Sequence, residues 1–547
     1  MRPRADSAAT TGYSYRAGSS AGWPARVRSV LVQFSDYFSE FNRYIAPAYH
    51  HDRCERSVQM RLYSMHKREF ALVFVTFLAC CGLSVLIGLA GPSITAQSEV
   101  RASSTASSTG GGTGGTSPGP DGDLAATKFE LRTPALTAYH QQLWLIAKVQ
   151  TTNVDEESYE KAVHVSVTAH GIREDHRPAL ILKADREHNR SRHLHCRWQG
   201  CDELVVLHLG YLAYTHYLLQ IRFYGLESHT YHVKDITFYF RTYNPDFTQI
   251  EIWFRLVFLV MTFVCMMWYA HGLRKFPSHD WSIEQRWLSM LLPLLLFFND
   301  PIFPLMFLSS SWIPGMLDAV LQATFLSALL LFWLCVYHGL RQNERRWVAF
   351  YTPKLVLVGL LWLGAIVMAS WQKCNELHDP TYNHREDAAD YDSYKALLMT
   401  VAGGYAVYLA FLVLRAHADL GAMPFFDMRL RFLTIFMTVV VAVTLTLAGM
   451  RYGAGTLEDD FVSQLSTTYT SSAHFMCLYG LLNFYTFTMA YVYSPAQMHP
   501  QDLAVTKDNP AFSMMNESDE EQVLYGSDDD CRRPLNLSRC NEADDSD

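Results

Sequence analysis

Eight stretches of this chain are each long and apolar enough to cross a bilayer, and this constrains everything else about its fold. A helix covers a hydrocarbon core of about 30 Å with about 20 apolar residues, because lipid offers backbone polar groups no partners. The stretches are Phe70–Ala90, Ile252–Ala270, Trp287–Phe307, Ala319–Tyr337, Leu355–Trp371, Ala396–Leu414, Phe432–Ala448 and Phe475–Tyr493. The first starts too far from Met1, and runs too long, for a cleaved signal peptide. Only 18% of the 547 residues are charged, against about a quarter in ordinary soluble domains, and the apolar runs exclude a purely soluble protein. A net charge of −8 leaves no basic footprint for nucleic acid.

Basic residues beside the spans set the orientation. Arg61, Lys67 and Arg68 precede the first span and place the N-terminus in the cytosol. Segments 271–286, 338–354 and 415–431 are rich in Lys and Arg, whereas 308–316, 372–395 and 449–472 are poor in them. Both termini are then cytosolic, and residues 91–250 lie on the luminal or extracellular side. The expected fold class is a polytopic α-helical membrane protein with one N-terminal span, an antiparallel β-sandwich, then a seven-helix body. The boundaries read from the sequence are a basic cytosolic region 1–69, the first span 70–90, a linker 91–127, the sandwich 128–250, the helical body 251–493 and an acidic cytosolic tail 494–547.

Each segment outside the bilayer has its own character. Val27, Val30, Leu31, Phe34, Phe38, Phe41 and Ile45 recur at helical spacing; a membrane-surface helix and a partner-packing helix are equally consistent with this. Residues 97–126 are rich in Ser, Thr and Gly and read as a flexible spacer. Between 128 and 250, short β-branched and aromatic runs alternate with polar turns, the pattern of a sandwich. Cys196 and Cys201 fall here, and an oxidising lumen favours a short-loop disulfide over free thiols. His193 and His195 stand close by, but no second pair has zinc-site spacing, so no metal is expected. Asn189-Arg190-Ser191 is a glycosylation sequon on the correct side, whereas those at Asn516 and Asn536 fall in the cytosol. In the tail, Ser518 and Ser527 are each followed by acidic residues, which suits acidophilic kinases. Asn509-Pro510-Ala511-Phe512 fits the Asn-Pro turn that trafficking adaptors bind. A plain solvated tail is the competing reading.

Ionisable groups at bilayer depth are costly and therefore candidates for function. Asp300 lies inside the third span, in Asn299-Asp300-Pro301, with Pro293 and Pro304 near it. Pro304 has no N–H and so frees the carbonyl of Asp300. Asn299 and Asp300 either line a polar or ion-sensing pocket or cap a helix break near the luminal surface. Arg255 is placed one turn into its span, where snorkelling to headgroups is favoured, with Glu251 in pairing range. Asn483 in the last span faces either a cavity or another helix. Phosphate-loop, zinc-protease and hydrolase motifs are missing, so no enzyme and no cofactor are expected. Neither Asp-Arg-Tyr nor Asn-Pro-x-x-Tyr closes a span, which disfavours a rhodopsin-like receptor.

Longer phrases carry a resemblance. Asn244-Pro245, Ile252-Trp253-Phe254-Arg255, Leu273-Arg274-Lys275-Phe276, Asn299-Asp300-Pro301, Phe332 through Gly339, Asn375 through Pro380, Tyr479 through Tyr485 and Lys507 through Phe512 together resemble the transmembrane protein 181 family. That family is similar to Wntless and to other seven-helix proteins with a GOLD-like luminal domain. The resemblance implies residence in the secretory pathway, endosomes or plasma membrane. It also implies a role in trafficking or ligand transport and, from relatives, binding and uptake of cytolethal distending toxin. The expected partners are membrane lipids, a protein ligand or toxin on the luminal side, and cytosolic adaptors. A lipid or lipidated cargo in the helical body would be met by Asn299, Asp300, Arg255 and Asn483. A G-protein-coupled signalling protein, or a channel or proton-linked transporter using Asp300, stands as the alternative.

Overall fold

The computed structural model describes residues 58–100, 103–105, 128–151, 159–173, 178–181, 188–197, 200–226, 233–308, 312–341, 347–382, 391–420, 424–452 and 471–496. The amphipathic pattern at Val27–Ile45 and the acidic tail, with Asn509, Pro510, Phe512, Ser518 and Ser527, lie outside them. Eight long helices carry the apolar stretches: α1 (Lys67–Ala90), α2 (Pro245–Leu273), α3 (Ile283–Phe298), α4 (Ile313–Gly339), α5 (Trp347–His378), α6 (Tyr391–Leu420), α7 (Pro424–Tyr452) and α8 (Ser472–Val492). Seven of them are long and apolar enough to cross a membrane. The exception is α3, whose 16 residues reach only about 24 Å at 1.5 Å per residue.

The third span was expected to run to Phe307, but its helix stops at Phe298. Asn299 is its C-cap, and Asp300 turns into the left-handed region at φ 47°. The Asp300 side chain accepts from the Ile302 amide at 3.0 Å, an Asx turn that holds this conformation. The Asp300 carbonyl is not left free by Pro304; it accepts from the Phe303 amide at 3.2 Å. The spans expected at Leu355–Trp371 and Phe432–Ala448 belong to the longer helices α5 and α7, because polar residues extend a helix past its apolar window.

Helix α1 does not stand apart from the seven others. Ser84 and Gly88, one turn apart, are buried against α8. A Cβ on Gly88 would fall 2.5 Å from the Ala473 backbone, and one on Gly480 would fall 2.7 Å from the Ser84 hydroxyl. Small residues on both helices thus let the two backbones approach closely, the usual basis of helix pairing in lipid. Phe74 and Phe77 pack on Phe436 of α7, with ring centroids 4.4 and 5.0 Å apart. The opposite face of α1, with Leu72, Leu83 and Leu86, stays exposed for lipid.

The β-domain is two antiparallel layers around one core. One layer runs β1 (Thr95–Val100), β11 (Val233–Tyr243), β4 (Leu143–Thr151) and β9 (Leu204–Leu209). The other runs β7 (His188–Arg197), β5 (Tyr159–Ile172), β10 (His216–Tyr224), β3 (Lys128–Arg132) and β2 (Ser103–Thr105), with β6 (Pro178–Leu180) extending the β7 edge. The two-residue β8 (Gly200–Cys201) bridges the layers, and Cys201 is disulfide-bonded to Cys196. Phe238 of one layer meets Phe129 of the other at 5.3 Å. The spacer expected over 91–127 therefore begins with two strands, β1 and β2. Edge pairing uses the backbone alone, so a Ser/Thr-rich composition does not prevent it.

Strand β4 ties this domain to the helical body. Leu143, Leu145, Ala147 and Val149 fill the sandwich core, while Trp144 and Ile146 on its other face belong to the apolar core of the helical body. A larger residue at Gly88 would separate α1 from α8. Gly88→Leu is expected to destabilise the protein by about 1–3 kcal/mol, the usual range for overpacking. Thermal denaturation of the detergent-solubilised chain reads this, and an unchanged midpoint would show that the close approach is not needed.

Candidate functional site

The polar residues flagged within the bilayer converge where the β-domain meets the helices. Helix α2 begins at Pro245, capped by Asn244, so Arg255, one turn into the apolar span, sits about three turns into the helix. Its side chain is buried and does not snorkel to headgroups. The guanidinium donates to Glu251 at 2.9 Å and to Asp318 of α4 at 3.0 Å. Asp300 stands 4.0 Å away. The face of the guanidinium lies 4.1 Å from the Phe303 ring centroid. Three carboxyls from three elements therefore surround one cation at a depth where an unpaired charge is costly.

The β-domain reaches into this cluster. The Gln141 amide donates to Thr248 at 3.1 Å and to Glu251 at 3.3 Å. The Thr248 hydroxyl donates to the Tyr139 carbonyl at 2.8 Å, and the Tyr139 ring stacks on Phe307 at 5.5 Å. Gln141 has a positive φ of 52°, which aims its side chain down at α2.

Deeper in the bundle, Asn299 and Asn483 face each other. Asn299 donates to Asn483 at 2.9 Å and receives from it at 3.1 Å; it also donates to Thr262 of α2 at 2.8 Å. Both are fully buried. The four residues expected to meet a lipid or cargo thus close on one another and on their neighbours instead of opening onto a cavity. A reciprocal amide pair is the cheapest way to satisfy such groups in lipid.

A second contact ties the two parts together. Arg190 of β7 binds Asp379, just after α5, through Nε at 3.0 Å, and Arg192 donates to the Thr381 carbonyl. The His208 amide of β9 donates to the Pro380 carbonyl at 2.8 Å. Burial raises the Asp379 carboxyl, but hydrogen bonds from Thr381 and Arg190 outweigh it and hold the group below its ordinary value. At the opposite end of the bundle, Arg429 of α7 meets Glu284 of α3 with an Nε–Oε1 distance of 2.6 Å, both fully buried.

Asp318, Gln141, Asp379 and the Arg429–Glu284 pair were not singled out from sequence. Asp318 sits just outside the apolar window of its span, and the other residues read as ordinary loop or headgroup polars. Asn189 lies in β7, opposite Ser166. No group of metal-ligating side chains is found among the described residues.

A β-domain followed by a bundle of long apolar helices fits a GOLD-domain membrane protein of the Wntless-like class, and the family models match it. Residues 127–243 match the family model described as "TMEM181, GOLD domain", and residues 244–497, spanning α2 to α8, match "Wntless-like, transmembrane domain". The chain is 44% identical over 470 residues to Transmembrane protein 181 of Homo sapiens, covering 86% of this chain and 94% of that one. It is 26% identical over 334 residues to the Protein wntless homolog of Mus musculus, covering 55% of this chain and 59% of that one. Over 362 residues it is 22% identical to the Caenorhabditis elegans homolog, covering 59% and 63%. The chain belongs to the transmembrane protein 181 family.

Removing one partner of a buried ion pair typically costs about 3–5 kcal/mol. Arg255→Gln is expected to lower stability by that order, read by thermal denaturation, and Glu251→Gln by less, because Asp318 still holds the cation. Equal small effects would mean that water reaches the cluster. A carboxyl held below its ordinary value stabilises fully above that value, 3.8, and loses its contribution as pH falls through the lower one. Hydrogen exchange at the His208 amide should stay slow in mild acid and quicken only below that range. Asp379→Ala should quicken it about tenfold at neutral pH, the response to about 1.4 kcal/mol of local stability.

Proposed function

We propose that the protein is a non-enzymatic receptor or cargo carrier. Its β-domain takes a protein ligand on the luminal or extracellular side, and its helical body passes the occupied state towards the cytosol. The two-point junction supports this most directly, because a domain bolted to α2 through Gln141 and to the α5 end through Arg190 cannot shift without moving helices. The Lys/Arg asymmetry of the connecting segments supports the orientation, with both termini cytosolic and Asn189 open to glycosylation. In this reading the tail meets trafficking adaptors at Asn509, Pro510 and Phe512 and kinases at Ser518 and Ser527. The protein then cycles between Golgi, endosomes and plasma membrane.

The β-domain offers a place for the ligand. A cavity of about 310 Å³ lies between Leu136–Ala138 and Leu212–Thr215, with Arg173 at its edge. Its aromatic wall is preset. Tyr214 lies flat on Gly171, where any Cβ would fall 2.4 Å from the ring. The Tyr217 hydroxyl accepts from the Ala213 amide at 3.0 Å, and burial pushes that phenol up to about 12. The Arg173 guanidinium lies 6.0 Å from the Tyr214 ring, a combination suited to an acidic or aromatic side chain.

Cytolethal distending toxin is the probe that the family resemblance suggests. In cells lacking the protein, the re-expressed chain should restore surface binding of labelled toxin. Arg173→Glu and Tyr214→Ala should each weaken binding about tenfold or more, equivalent to about 1.4 kcal/mol, with surface amount unchanged. Full binding by both variants would remove the cavity from the reading, and no binding by the intact chain would remove the toxin.

A further inference from the structure

The end of the bundle remote from the β-domain carries a second cavity, of about 320 Å³, between α2 and α3. Met266, Tyr269, Ala270, Leu273 and Leu292 make its walls almost wholly apolar, and Trp281 and Arg274 stand at its rim. Around it the helices face lipid, with Val264 59%, Met267 53% and Met290 61% exposed. An apolar cleft in such a surface is filled by acyl chain unless a protein covers it, because water there would lack polar partners.

The exposed charges beside the rim are mostly basic. Arg274, Lys275 and Arg286 are all exposed. Arg274 and Lys275 have no ion-pair partner among the described residues, and Arg286 uses Nη2 on the His279 carbonyl at 2.9 Å. Of the neighbouring acids, Glu284 is buried against Arg429, and Asp280, 3.2 Å from His279, is outnumbered by the three cations. Basic residues beside a cleft between membrane helices are the arrangement that retains anionic headgroups.

We propose that this cleft is a binding site for an anionic phospholipid of the leaflet remote from the β-domain, with one acyl chain between α2 and α3 and its phosphate at Arg274 and Lys275. The site also adjoins the residues just before α1 and just after α8. The Val58 amide donates to the Asp280 carbonyl at 2.9 Å, and Pro495 packs 3.6 Å from where a Gly272 Cβ would stand. An occupied cleft therefore steadies the loop that meets Val58.

The full chain, in nanodiscs of phosphatidylcholine and phosphatidylserine, is extracted and weighed by native mass spectrometry. The expected result is retention of phosphatidylserine at least fivefold over its share in the disc. Arg274→Glu with Lys275→Glu should abolish the preference, and Ala270→Trp should remove the retained lipid of either kind. All these side chains face lipid or solvent, so thermal midpoints should stay within a few degrees of the parent. Retention in proportion to disc composition would overturn the proposal. So would equal retention after Ala270→Trp, or equal competition by glycerophosphoserine, which has the headgroup but no tails.

Discussion

A guanidinium cut off from water must be held by the protein, and the way Arg255 is held organises this molecule. Its partners come from one turn earlier on its own helix, from α4, and from the break that ends α3. Because the same Glu251 accepts from Gln141, the β-domain joins that network instead of resting on it. Burying charge is not by itself stabilising, since desolvation can exceed the attraction. It does fix geometry: other arrangements of these elements would strand a charge in a medium of low dielectric.

The same logic explains how the short α3 is tolerated. A helix of about 24 Å cannot bring both of its ends to the water on the two sides of a core of about 30 Å. Its first turn is closed by a Ser282–Gln285 capping box and by the Glu284–Arg429 pair. Its last turn ends in Asn299, bonded to Thr262 and Asn483, and in the Asx turn of Asp300. Side chains therefore do at each end what water does for a longer helix. The residues that seemed best placed to line a pocket are used up in making this helix possible.

Much of the architecture was legible because it rests on sums over many residues. Twenty apolar side chains in a row leave little doubt about a membrane span, and alternating short runs indicate a sandwich. Local spacing also sufficed for the helix break at Asn299-Asp300-Pro301 and for Glu251 beside Arg255. Long-range partners were beyond reach. Nothing in the spacing of Asp318 links it to a residue 63 positions earlier, and the Arg190–Asp379 contact spans 189. Helix starts were misjudged for a related reason. Asn244-Pro245 begins α2 well before its apolar run, and the partners that bury Arg255 come from other elements as well as from α2. The strand at Thr95–Val100 was hidden by its composition, because an edge strand needs only its backbone to pair.

Strand β4 couples the β-domain to the helices. An ordinary sandwich strand alternates between core and solvent, but every residue from Leu143 to Ala147 is buried. One face belongs to the sandwich core, and Trp144 and Ile146 on the other belong to the apolar core of the helical body, with Trp144 also stacked on His208 of β9 and tilted on Tyr243 of β11. Sliding the β-domain over the bundle would expose that second face, and about 25 cal/mol for each Å² uncovered opposes it. Any response of the helices to a ligand on the β-domain must therefore arise as a change shared by both layers of contact. The places able to make such a change are those where the contact is polar and directional: Gln141 on Glu251, and Arg190 on Asp379. An apolar interface resists sliding in every direction but encodes few discrete positions, whereas hydrogen-bonded pairs can exchange one partner for another. The junction combines the two, an apolar plate with polar catches, so the β-domain and the helices are coupled through both.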